Sequence, residues 1–151
     1  MELAKDIFTI VGGIIGLVAF VKGVMELVHS NAIHRYEKFH QMSVRFDENE
    51  DIQKVCALLH DADHPGTLTK QQKEVFICFL EEIHFMINSR IMKRDLALYT
   101  FGYYGKMAME SEKFWQDLNR NEPFYAHFME FCSQARTYQP TSALHRRALA
   151  Y

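Results

Sequence analysis

The sequence predicts an all-α protein, with a single N-terminal transmembrane helix followed by a small irregular bundle of about five to six helices. Residues 7–21 read IFTIVGGIIGLVAFV and carry no charge. Beyond them, apolar residues recur with helical spacing, and no segment shows the alternation of a strand. Apolar residues make up 48% of the 151 residues and aromatic residues 13%, which is enough for one folded domain after the apolar run.

The apolar run is short for a membrane span, because fifteen helical residues rise only about 22 Å against a hydrocarbon core of about 30 Å. A helix over 5–28 is long enough if Lys22 and Glu26 reach the interface. We therefore predict a transmembrane anchor over 1–29. A buried helix of a soluble oligomer is the alternative, and the absence of a small-residue cleavage site argues against a signal peptide.

The flanking charges predict the orientation of the anchor. Lys5 precedes the uncharged run 7–21, whereas four basic residues follow it: Lys22, Arg35, Lys38 and Arg45. An excess of Lys and Arg marks the cytosolic side, so we expect the N-terminus outside and the C-terminal domain in the cytosol. The widely spaced Cys56, Cys78 and Cys132 are predicted to be buried free thiols. Free thiols are typical of a reducing compartment, which agrees with a cytosolic domain.

Small residues follow one face of the predicted membrane helix. Gly12 and Gly16 form a Gly-x-x-x-Gly pair, and Ala19 and Gly23 repeat the spacing. Such a stripe lets two helix backbones approach closely, which predicts self-association in the membrane. The alternative is that glycine is simply common in membrane helices.

Helix signals divide the predicted cytosolic domain, residues 30–136. Ser30 or Asn31 starts a helix to about residue 46, unless the membrane helix continues through it. An acidic segment then precedes a short helix over 52–60. Thr69 and Gln72 have the spacing of a capping box, which opens the most apolar helix of the domain, running to about residue 87.

Three further helices are predicted before the chain end. One runs from about Lys93 to Glu110, and Ser111 is a candidate cap for the next. Asn121 and Pro123 form a start signal for the last helix. The segment 137–151 is predicted to be a short flexible tail.

Two carboxylates lie within the most apolar helix. Glu81 and Glu82 are predicted to be buried polar anchors, because a buried carboxylate needs a partner or a proton. Arg90 or Arg94 is the predicted partner, and a tyrosine hydroxyl from the segment 99–104 is the alternative. No catalytic residue is predicted, since structural ion pairs also place acids in cores.

Histidine and glutamate spacings suggest weak metal-ligand candidates. Glu37-x-x-His40 and Glu81-x-x-His84 place two Glu/His pairs three residues apart, the spacing of carboxylate di-metal centres, and Glu130 is one of several acids able to complete such a set. His60 and His64 have i,i+4 spacing. With eight histidines in the chain, such pairs arise by chance, and no metal or other cofactor is predicted.

Composition and motifs exclude several functions. The net charge of −2 offers no general attraction for nucleic acid. The sequence contains no P-loop, dinucleotide-binding glycine motif, hydrolase Gly-x-Ser-x-Gly motif or His-Glu-x-x-His motif.

Three short segments, Phe79-Leu-Glu-Glu-Ile83, Phe101-Gly-Tyr-Tyr104 and Phe114-Trp115, follow the N-terminal apolar run. In this the chain resembles a group of small uncharacterised bacterial membrane-anchored proteins, defined only as a domain of unknown function, over roughly residues 5–135. The resemblance implies a bacterial inner-membrane location and carries over no catalytic residue.

The expected function is that of a membrane-tethered helical interaction domain. Its expected partners are the lipid bilayer, a second copy of the chain and an unidentified protein. Two alternatives stay open: a small membrane-acting effector or immunity-type component related to phage or toxin systems, and a helical metal-dependent enzyme.

Overall fold

The structure is a computed structural model that describes residues 2–61 and 66–139. The side chains of residues 2–15, 18 and 27–29 lie outside this description. The described chain forms the following elements: α1 (Glu2–Glu48), α2 (Glu50–His60), α3 (Lys70–Asn88), α4 (Arg94–Glu110), α5 (Glu112–Trp115), a 3₁₀ turn (Pro123–Tyr125) and α6 (Ala126–Thr137). No strand occurs among the described residues, which confirms the predicted all-α class.

The chain divides into two compact units, residues 1–36 and residues 37–151. Helix α1 contributes to both, and the predicted domain boundary after residue 29 falls inside it. Ser30 and Asn31 therefore do not cap a separate helix. The alternative prediction, in which the N-terminal helix continues without a break, is the one that the structure shows.

Membrane crossing requires both length and apolar character in one helix. Within the described part of the chain, no helix meets both requirements. Most of the uncharged run 7–21 consists of residues whose side chains lie outside the description, and the predicted tail 137–151 lies outside it beyond residue 139.

Side-chain caps set the starts of three helices. Asn49 Oδ1 accepts from the Ile52 amide at 3.0 Å, so α2 begins two residues before the predicted start. Thr69 and Gln72 form both hydrogen bonds of the predicted capping box at the start of α3. The predicted Ser111 cap is also present, since its Oγ accepts from the Phe114 amide at 3.2 Å.

The last helix begins later than predicted. Pro123 starts a 3₁₀ turn, and α6 follows from Ala126. Proline lacks the amide hydrogen and has a fixed φ, which suits a first turn of either helix type. The residues Asn121 to Pro123 thus predict correctly that a helical segment starts here, but they do not predict that its first turn is 3₁₀.

Aromatic side chains form the core of the second unit around α3. Phe76 and Phe79 have no exposed surface. The ring of Phe79 lies 5.5 Å from those of Phe46 and Phe101, and the ring of Phe76 lies 5.8 Å from Phe114. Tilted and edge-on ring contacts at these distances stabilise beyond the burial of area alone. The predicted central position of α3 is confirmed.

Two glycines allow α4 to approach α6. A Cβ built on Gly102 would lie 3.2 Å from the Cβ of Ala135. One built on Gly105 would lie 3.1 Å from Phe131 Cε1 and 3.4 Å from Cys132 Sγ. A larger side chain at either position would force the two helices apart.

Candidate functional site

A cluster of histidine and glutamate side chains lies where α3 meets α6. Helix α3 carries Glu81 and His84, and α6 carries His127 and Glu130. In both helices the two residues are three apart, so they share a face. Because apolar neighbours on both helices are buried in the same core, these polar faces meet at its edge.

His84 is the buried member of this cluster, with no exposed surface. Its Nε2 lies 3.3 Å from Glu130 Oε2 and 2.9 Å from the Asn88 side-chain nitrogen. Its Nδ1 has no hydrogen-bond partner among the described residues. One nitrogen of a buried ring is thus held against a carboxylate while the other is unsatisfied.

His127 and Glu130 form the exposed side of the cluster. The His127 ring centroid lies 5.7 Å from that of His84 and 4.5 Å from that of Phe85. One ligand atom from each of His84, His127 and Glu130 falls within 4.8 Å of the other two. Two imidazoles and a carboxylate this close can bind a divalent transition-metal ion.

Glu81 lies beside the cluster. Its Oε1 accepts from the Phe128 amide at 3.4 Å. Burial raises the pKa of the Glu81 carboxyl, while this hydrogen bond and the neighbouring His127 and His84 act in the opposite direction. The predicted burial of this carboxylate is therefore partial, and its partner is a backbone amide with histidines nearby.

Glu82 has a different partner from the predicted ones. Its carboxylate pairs with Arg45, whose guanidinium also lies 5.7 Å from the centroid of the Phe79 ring. Arg90 and Arg94 are exposed at the end of α3 and the start of α4. Arg45 is 37 residues from Glu82 in the chain, so local spacing could not have identified it.

The other predicted metal ligands do not join the cluster. Among the described residues, the only group of three or more ligand side chains that could hold a metal ion is His84, His127 and Glu130. Glu37 and His40 are exposed on α1, and His60 is exposed at the end of α2. His64 lies outside the described residues.

The sequence predictions include three members of this cluster, Glu81, His84 and Glu130, but not His127. The predicted pairing of Glu81 and His84 with Glu37 and His40 depends on the order Glu-x-x-His, which both pairs share. In α6 the pair is reversed, as His127-x-x-Glu130, and reversal changes nothing about which side chains share a helix face. The order His-x-x-Glu is therefore the sequence signal that points to His127.

A cleft of about 630 Å³ lies between α3 and the chain that follows α5. Its lining includes Glu74, Cys78, Glu81 and Asp117. The buried Lys73 supports this loop by donating to the Gln116 carbonyl, and burial lowers the pKa of its ammonium group. Glu81 therefore borders both the cleft and the histidine cluster.

Of the cysteines predicted to be buried, two are buried and one is not. Cys56 and Cys132 lie in the core, whereas Cys78 is exposed. Burial raises the pKa of both core thiols to about 12. Cys78 is adjacent to the buried Ile77 on α3, but its own side chain is exposed. Apolar neighbours in the sequence therefore do not show which side of the helix a cysteine occupies.

The predicted self-association residues belong to the first unit. Gly16, Ala19 and Gly23 are exposed, and the surroundings of Gly12 lie outside the description. A Cβ built on Gly16 or Gly23 would meet no described atom within 4 Å. The same unit exposes large apolar side chains: Leu17, Phe20, Val21, Val24 and Met25.

Comparison with family models, with curated proteins and with solved structures finds no match to this chain. The resemblance to membrane-anchored bacterial proteins therefore stays a prediction from the sequence.

Proposed function

We propose that this chain is a membrane-tethered helical interaction protein. Residues 5–28 form its anchor in the bacterial inner membrane, and the second unit binds a protein partner in the cytosol. The observation that carries the proposal is the run of exposed large apolar side chains in the first unit: Leu17 is 64% exposed, Phe20 70% and Met25 67%. Exposed apolar residues in such a contiguous set indicate a lipid or protein contact.

Two different faces of this helix support the proposal. One face carries the large apolar residues Leu17, Phe20, Val21, Val24 and Met25. At 100° per residue, the centre of this face lies roughly 140° around the helix axis from the centre of the small residues Gly12, Gly16, Ala19 and Gly23. Large side chains suit contact with acyl chains, and small ones suit close contact with another helix. We therefore assign the first face to lipid and the second to another copy of the chain.

The anchor is tested by washing membranes that contain the full-length protein with alkaline carbonate. We expect the chain to stay in the membrane pellet, because a spanning helix is not released by breaking ionic contacts. Release into the supernatant would contradict the anchor. A discrete soluble oligomer in that supernatant would instead favour the buried-helix alternative.

Orientation is tested through Cys78, the exposed thiol of the second unit. A membrane-impermeant maleimide should leave Cys78 unlabelled in intact cells and label it after the cells are permeabilised. Labelling in intact cells would reverse the assigned orientation. A Cys78→Ala variant controls for the two buried thiols.

Self-association is tested by crosslinking in membranes. Gly16→Leu with Gly23→Leu should reduce crosslinked dimer at least several-fold, because leucine keeps the helices from close approach. No described atom opposes these side chains within the chain itself. Val24→Leu on the large apolar face is the matched control. Dimer that persists in the double variant would refute the small-residue face.

The proposed partner surface lies on α4. Tyr99 and Tyr103 are four residues apart, and their side chains are 51% and 52% exposed. Exposed tyrosines are enriched where proteins bind other proteins. A partner recovered from solubilised membranes by the wild-type chain should be lost with Tyr103→Ala and retained with Phe124→Ala. Equal recovery by both variants would exclude this surface.

A further inference from the structure

The spacing of the α3–α6 cluster matches the requirements of a metal ion. In a tetrahedral zinc site with metal–ligand distances near 2.1 Å, neighbouring ligand atoms are about 3.4 Å apart. His84 Nε2 and Glu130 Oε2 are 3.3 Å apart. The set with His127 spans at most 4.8 Å, so a rotation of the exposed histidine side chain that moves its ligand atom by up to about 1.4 Å completes the geometry.

Burial gives the three ligands different mobility. His84 is fixed in the core, while His127 and Glu130 are exposed at its edge and can adjust by small side-chain rotations. A rigid first ligand with two adjustable ones binds an ion without rearranging the fold. It also leaves a fourth position open on the solvent side, for water or a further ligand.

Packing alone does not account for the burial of His84. A buried polar atom without a partner costs stability, and the Nδ1 of this ring has none among the described residues. At Nε2, the Asn88 side-chain nitrogen lies 2.9 Å away and Glu130 Oε2 lies 3.3 Å away. A divalent cation bound between Nε2 and the Glu130 carboxylate would take the place of the Asn88 contact at this nitrogen.

Neighbouring groups orient the exposed histidine. The Phe85 ring packs 4.5 Å from the His127 ring and restricts its rotation. Glu81 lies close enough to interact electrostatically with both histidines. Carboxylates beside ligating histidines hold the rings in position and strengthen metal binding.

We infer that His84, His127 and Glu130 form a binding site for one Zn²⁺ ion, which links α3 to α6. Imidazole nitrogens favour zinc and related transition metals over Mg²⁺ or Ca²⁺, which prefer oxygen ligands. Zinc has no preferred geometry from its d electrons and tolerates a partly exposed site of two nitrogens and one carboxylate. This inference does not depend on the membrane proposal.

The test is a zinc titration of the full-length protein in mild detergent, purified without a polyhistidine tag. We expect one Zn²⁺ per chain by equilibrium dialysis and a rise in melting temperature of about 10 °C at a hundredfold excess over Kd. His127→Ala and Glu130→Gln should each weaken binding at least about 100-fold, since even outer groups of metal sites have effects approaching this size. Both residues are exposed, so neither variant disturbs the core.

Matched controls separate this site from adventitious binding. His60→Ala and Glu110→Gln remove an exposed histidine and an exposed glutamate elsewhere in the second unit and should leave binding unchanged. Fluorescence of Trp115, the single tryptophan, verifies that each variant is folded. Zinc content below about 0.2 equivalents in the wild type, or equal binding by the His127 and His60 variants, would overturn the site.

Discussion

Gly16 and Gly23 in the first unit have open space where a Cβ would stand, whereas Gly102 and Gly105 in the second would bring a Cβ within 3.2 and 3.1 Å of α6. The largest side chains differ as well: Phe20 is 70% exposed, whereas Phe128, in the core of the second unit, has no exposed surface. Gly102 and Gly105 of the second unit thus pack against another helix of the same unit, while Gly16 and Gly23 of the first have no such neighbour among the described residues. In the proposed function, lipid or another copy of the chain covers the first unit.

The largest expected effect comes from removing a core ring. Phe128→Ala should lower the free energy of unfolding of the second unit by about 3–5 kcal/mol, because it leaves a cavity beside Phe76, Phe114 and Trp115. Phe20→Ala should change it by less than about 0.5 kcal/mol. Denaturant unfolding followed by Trp115 fluorescence measures both, and similar losses would remove the distinction between the units.

The buried thiols predict a loss of stability at alkaline pH. The pKa values of Cys56 and Cys132 are about 12 in the folded chain, because burial disfavours their thiolates. Above the unfolded pKa, near 9, the unfolded state has lost protons that the folded state retains, so stability is full below pH 9 and falls as pH rises toward 12. The expected slope for the two thiols together rises from about 1.4 kcal/mol per pH unit at pH 9 to about 2.5 kcal/mol per pH unit at pH 10.

This slope is measured by unfolding at intervals from pH 8 to 10. Cys56→Ala with Cys132→Ala should lower the stability at pH 8, since it removes core volume, but should flatten the pH dependence. Cys78→Ala, which changes the exposed thiol, should leave most of the slope intact. If stability falls equally steeply with pH in the wild type and the double variant, then groups other than Cys56 and Cys132 cause the pH dependence.

Glycine substitution contrasts the two units directly. Gly105→Leu should destabilise the second unit by about 1–3 kcal/mol, because the new side chain meets Phe131 and Cys132. Gly23→Leu should leave Trp115 unfolding unchanged while reducing self-association. Loss of Trp115 unfolding stability in the Gly23 variant would show that the first unit supports the second.

The smallest expected effect concerns an ion pair. Arg45 and Glu82 have side chains 46% and 41% exposed, so their coupling should be about 0.5–1 kcal/mol and should weaken in salt. A double-mutant cycle with Arg45→Met and Glu82→Gln measures it. The more exposed Lys22–Glu26 pair of the first unit should show no coupling to Trp115 unfolding. A coupling above about 2 kcal/mol would mean that the Arg45 pair is effectively buried.

Most helix positions were predictable because their signals are local. The Thr69–Gln72 capping box and the Ser111 cap each depend on groups within one turn. The predicted helix start was wrong where a local capping signal lies inside a helix that continues through it. Ser30 and Asn31 resemble a helix start, yet a helix already formed passes through such residues at small cost.

The sequence by itself determined the all-α class, the order of helices in the second unit and the central place of α3, since helical periodicity and capping act over a few residues. Only the tertiary structure decided which polar groups meet: Arg45 with Glu82, and His84 with His127 and Glu130. Those contacts join residues more than 35 positions apart, and their pairing depends on how apolar faces pack rather than on any short spacing.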